Sequence, residues 1–228
     1  MNKLLPPALA FVAMFAGLPS SEAATITTLF NTGVDAAGAA LGDNAADPHY
    51  LLVAGVGAVE TGTPLVVDGG FPIPPWLGNS ATGAWTGTTA ASAQASIDPS
   101  SGLISLYYET SFSLAGLDPT TAAISFDLAA DNTVYDVLIN GSSTGITQAA
   151  GFASFESKTL SPSDIALLNG GTNTLTFVVN TASGGGPNVD YYGLRVEFTT
   201  RTADAVPEPS SLALLGLGGI VGLRRRRP

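Results

Sequence analysis

The feature that most constrains this fold is a period of two through the middle of the chain. Leu106, Tyr108, Thr110, Phe112 and Leu114 alternate with Tyr107, Glu109, Ser111 and Ser113. Ile124, Phe126 and Leu128 alternate with Ser125 and Asp127, and Leu175, Phe177 and Val179 with Thr174 and Thr176. Leu194, Val196 and Phe198 alternate with Arg195, Glu197 and Thr199. Side chains of an extended chain point to opposite faces in turn, so each run predicts a strand with one buried and one wet face. Residues 50–56, 134–140 and 152–160 predict less regular strands, and residues 25–30 a strand that opens the domain.

Turn formers separate these runs: Asp98-Pro99, Asp118-Pro119, Asp131-Asn132, Asn140-Gly141 and Asn169-Gly170-Gly171. One helix start is present. Ser161 caps, Pro162 suits the first helical position, and Asp164 stands where a capping box needs an acid. Asn169 and Gly170 predict its end after about two turns. Around eight strands and one short helix, with no repeat of solenoid spacing, predict a single antiparallel β-sandwich of jelly-roll type.

Both ends lie outside that domain. Residues 1–23 read as a signal peptide: Lys3 supplies the positive start, residues 4–18 are apolar, and Ser21-Glu22-Ala23 ends in a small-residue cleavage site. Pro6, Pro7 and Gly17 interrupt the apolar stretch, which argues against a retained membrane helix. Cleavage is expected between Ala23 and Ala24, leaving a domain over residues 24–205 and a tail over 206–228. Between the cuts stand 16 acidic residues and three basic ones, Lys158, Arg195 and Arg201, a net charge of −13. Nucleic acid and anionic lipid need clustered Lys and Arg, so neither is an expected partner. The chain has no cysteine, which rules out disulfides, thiolate metal sites and cysteine nucleophiles.

Motifs for chemistry are sparse. The one histidine, His49, reads as a turn residue ahead of a strand, with ligand or base as the rival reading. No phosphate loop or zinc helix occurs, and no carboxylate pair stands out, so no enzyme activity and no required cofactor are expected. Calcium is the ion that the oxygen-rich stretches at Asp43, Asp47 and Asp131 would suit, although Asx turns explain the same residues. Three aromatics are weighed as sugar contacts: Tyr107 on the wet side of its alternation, and Trp76 and Trp85 from loops, with core or rim packing as the alternative for each.

The tail reads Val206-Pro207-Glu208-Pro209, then an apolar run over 212–223, then Arg224, Arg225, Arg226 and Arg227. The run spans only ~18 Å as a helix against a bilayer core of ~30 Å. Four arginines resist crossing and hold the tail on the cytoplasmic side. The proline pair keeps the approach extended, a form that a protease cleft can grip. In order and position these parts resemble the PEP-CTERM sorting signal. That resemblance implies a Gram-negative exported protein, cut by signal peptidase and held transiently in the inner membrane by a short apolar helix. It further implies processing by an exosortase near the motif and arrival at the cell surface or the exopolysaccharide matrix.

Residues 105–198 also resemble the galactose-binding-like jelly roll found beside many glycosidases, through the stretches 107–114, 136–141, 168–175 and 193–198. Three function classes follow. The leading expectation is a non-catalytic surface or matrix protein associated with exopolysaccharide and biofilm. A carbohydrate-binding module comes second and a secreted glycan hydrolase third.

Overall fold

The computed structural model describes residues 22–58, 60–68, 76–89, 94–96, 105–180 and 189–206. Residues 1–21 of the expected signal peptide, the expected terminal helices and all of the tail beyond Val206 lie outside the described residues.

Two antiparallel sheets carry the fold. One has the order β1 (Ala23–Thr25), β11 (Gly193–Asp204), β5 (Ala123–Asp131), β8 (Glu156–Thr159). The other has the order β2 (Tyr50–Val53), β4 (Ser105–Ser113), β9 (Thr172–Asn180), β6 (Thr133–Ile139), β7 (Ser142–Ser143). A separate two-stranded ribbon pairs β3 (Gln94–Ser96) with β10 (Val189–Tyr191). Setting aside β2, β3 and β10, eight strands remain, and they pair first with last, second with seventh, third with sixth and fourth with fifth: β1–β11, β4–β9, β5–β8 and β6–β7. That is one long antiparallel hairpin rolled up on itself, the topology of a jelly roll. Rolling sends the hairpin pairs alternately to the two sheets, which is why β11 also meets β5 and β9 also meets β6.

The alternating residues face each other between the sheets. Leu106, Tyr108, Phe112, Leu175, Phe177 and Val179 come from one side, and Ile124, Phe126, Leu128, Leu194 and Val196 from the other; all are buried. Phe126 meets Phe177 edge-on across the gap, with ring centroids 5.6 Å apart. Each such side chain contributes ~1.5–3 kcal/mol by leaving water, which makes this layer the main stabilising element.

The helix is shorter than its flanking residues predict. It covers only Pro162–Ile165, with Ala166 as its C-cap. The capping box forms as expected: Ser161 N donates to Asp164 Oδ2 at 2.7 Å, and Ser161 Oγ accepts from Asp164 N. The next turns tighten, because Leu167 N reaches back only to Asp164 O and Leu168 N only to Ile165 O. Ser161→Ala is therefore expected to lower stability by ~1 kcal/mol, measured as a shift in the denaturant midpoint.

One sequence expectation reverses on the outer face of the β11 sheet. Arg195 belongs to the wet side of its strand, yet it is 2% exposed. The long excursion between β1 and β4 covers it. Residues 64–67 and 85–88 extend the sheet past β11, with Thr86 N donating to Leu194 O at 3.0 Å and Val67 N to Trp85 O at 3.0 Å. A second cluster forms beneath them from Val67, Trp85 and Ala129, with Trp76, Leu77, Phe152 and Phe155 packed against it. Inside this cover the Arg195 guanidinium is paired. It donates to Glu197 Oε1 at 2.5 Å and to the Gly78 carbonyl, and it lies 5.0 Å from the Phe155 ring centroid.

Candidate functional site

The outer face of the β4–β9–β6 sheet is built differently from its opposite number. Antiparallel register places Val53, Tyr107, Val178 and Asp136 in one transverse row, and Leu51, Glu109, Thr176 and Leu138 in the next. At the β6 end the register slips. Val134 faces Val179 and Asp136 faces Val178, so Tyr135 is an extra residue in a β-bulge. The bulge turns Tyr135 and Asp136 to the outside together, and Tyr135 ends 61% exposed. A two-residue alternation would have sent one of them inward.

Tyr107 is half-buried on this face, as its place in the alternation predicts. The turn at residues 55–58 folds over it. Tyr107 Oη donates to the Val56 carbonyl at 2.9 Å, and Gly55 lies so close that a Cβ there would overlap the ring. Between this turn and Tyr135 runs a groove of about 380 Å³, lined by Val56, Ser105, Tyr107, Tyr135, Val178 and Asn180 along with Gly57. None of these is charged. The two flanking carboxylates are engaged elsewhere: Glu109 Oε2 accepts from Thr176 Oγ1 at 3.1 Å, and Asp136 Oδ1 from Gly145 N at 3.1 Å.

The other two aromatics pack in the second cluster. Trp85 is fully buried; its Nε1 donates to the Leu77 carbonyl at 2.6 Å and its ring packs 4.6 Å from that of Trp76. Trp76 is half-buried between Trp85, Phe152 and Gly193, where a Cβ would strike the Trp76 ring at 2.7 Å. The structure thus separates Tyr107 from the tryptophans and pairs it instead with Tyr135. The sequence carries one sign of this. The apolar inward positions of β6 are Val134, Val137 and Ile139, a spacing of three and then two, which betrays the extra residue.

The acidic residues divide in the same way. Asp43 is exposed, while Asp47 is 1% exposed and uses both oxygens on backbone: Oδ2 accepts from Gly33 N at 2.7 Å and Oδ1 from His49 N at 2.9 Å. Burial outweighs these hydrogen bonds and raises the Asp47 pKa above the ordinary carboxylate value. Asp131 is buried at the end of β5. Among the described residues no three Asp, Glu or His side chains gather as a metal site would require. His49 stacks on Phe30 with centroids 3.7 Å apart.

The sorting motif begins where the sheet ends. β11 closes at Asp204, Ala205 bridges to Leu117, and Val206 N donates to Gly116 O at 2.9 Å. Pro207, Glu208, Pro209 and Arg224–Arg227 lie outside the described residues. No curated protein and no solved structure matches the chain. A family model does match its end, at residues 205–227, and that model is the PEP-CTERM protein-sorting motif. The chain therefore carries a PEP-CTERM protein-sorting motif, the mark of an exported protein that is sorted by an exosortase after transient anchoring in the membrane.

Proposed function

We propose that the processed protein is a non-catalytic component of the cell surface or extracellular matrix, associated with exopolysaccharide. The observation that carries this reading is the junction of the sorting motif with the last strand: β11 ends at Asp204, Val206 is bonded to the turn at Gly116, and the matched motif begins at residue 205 without a linker. Removal of the tail leaves the whole sandwich as the product. A non-catalytic role is supported by the work its carboxylates already do. Asp35 accepts from Ala37 N and Ala39 N, Asp118 caps a turn through Thr120, and Asp127 accepts from Ser157. Asp164 caps the helix, and Glu197 neutralises Arg195.

The test is intact-mass measurement and fractionation in the native host. The secreted species is expected to begin at Ala24, to lack Arg224–Arg227, and to co-fractionate with extracellular polysaccharide. A mature species that still ends in the arginine cluster, or one that stays with the cell membrane, overturns the reading.

A further inference from the structure

We infer that the groove between Tyr107 and Tyr135 is a binding site for a neutral sugar ring, part of the surface through which the sandwich holds polysaccharide. This rests on the matrix reading above and supplies the contact that it lacks.

Three observations converge on the site. Among the described residues, four large apolar side chains are strongly exposed, and two of them, Val56 and Tyr135, line this groove. Val56 is 91% exposed. Exposed apolar side chains gathered on one face mark a contact surface, whereas scattered ones do not. Next, the aromatic walls are held in place. Tyr107 is fixed by its hydroxyl bond to Val56 and by the close backbone of Gly55, and Tyr135 is aimed outward by the bulge. A wall that is already ordered loses little freedom when a ligand arrives. Last, the polar group at the groove's edge suits hydroxyls. Asn180 lines the groove, and its Oδ1 accepts from Ser105 Oγ. An amide donor beside two tyrosine rings matches a sugar, which offers an apolar C–H face and hydroxyl oxygens together.

Charge selects among occupants. The lining is uncharged in a domain of net charge −13, so nothing in the groove pairs with a uronate or sulfate, and the surrounding field repels a polyanion. A second copy would bring the same acidic surface face to face. A neutral glycan meets neither penalty.

The test uses the processed protein secreted by its host, as wild type and as Tyr135→Ala, Tyr135→Phe and Leu51→Ala. The probes are soluble neutral glucan, mannan and galactan, with alginate as the anionic control, read by affinity electrophoresis and calorimetry. At least one neutral polymer is expected to bind and alginate is not. Tyr135→Ala is expected to weaken binding about tenfold or more (~1.4 kcal/mol) with an unchanged melting temperature. Tyr135→Phe, which keeps the ring, and Leu51→Ala, which lies outside the groove, are expected to bind like wild type. Failure of all three neutral polymers, equal binding by Tyr135→Ala, or a concentration-dependent dimer lost in Tyr135→Ala overturns the site. Co-fractionation with native exopolysaccharide that survives Tyr135→Ala removes the groove but leaves the matrix reading standing.

Discussion

Trp85→Ala is expected to destabilise the domain by ~3–5 kcal/mol, the cost of removing a large aromatic from a site that cannot collapse around the gap. The indole is fully buried and covers the Gly193 backbone, where a Cβ would already approach its ring at 3.0 Å. It also closes the second cluster with Val67 and Ala129. Removal strands the Leu77 carbonyl, whose partner is the indole N–H. Urea titration followed by circular dichroism measures the loss; a change below about 1 kcal/mol would mean that the excursion packs on the sheet independently of Trp85. The contrast with Tyr135 is sharp. The buried ring is expected to cost stability, and the exposed one to cost stability almost nothing.

Asp47→Ala is expected to cost ~3 kcal/mol, because it leaves the buried N–H of Gly33 and the N–H of His49 without their acceptor. Gly33 has φ +63°, and a Cβ there would meet Ala84 at 2.8 Å, so this segment has no other way to lie against the 84–86 stretch. The wild-type dependence on pH follows from the raised Asp47 pKa. Between the ordinary carboxylate value and the raised folded value, the native state retains a proton that the unfolded chain has released. The stabilisation from Asp47 is therefore fullest below the unfolded pKa and declines as pH rises through the folded one. The gap between wild type and Asp47→Ala is expected to narrow from acid to neutral pH. Chemical denaturation at several pH values between 3 and 7, a range set around the ordinary carboxylate pKa of ~3.9, measures it, and a gap that widens contradicts the assignment.

The same two residues mark how far local sequence reaches. Alternation is a local property, since a side chain's face depends only on its place in its own strand. Tyr108, Phe126, Phe177 and Val196 could therefore be assigned to the core from spacing alone, and Tyr107 to the opposite face. Ser161, Pro162 and Asp164 fix a helix start through bonds spanning three residues, which the sequence also contains in full. The sorting motif is legible for the same reason: its parts are contiguous in the chain.

Whatever depends on partners distant in the chain was decided by tertiary structure. Arg195 has a polar residue's pattern but lies beneath Gly78, which reaches it only after the excursion folds back across the sheet, and beside Phe155 from the segment ahead of β8. Trp85 and Trp76 are indistinguishable in sequence from surface aromatics until Val67 and Phe152 close over them. Tyr135 joins Tyr107 only because β6 bulges against β9, a register set by pairing between strands and not by either strand alone. Sequence by itself determined the sorting motif of this protein and the inner faces of its sheets, because both are written in neighbouring residues. The groove, the second core and the burial of Arg195 arose from long-range packing, where the cover of each residue is supplied by chain dozens of positions away.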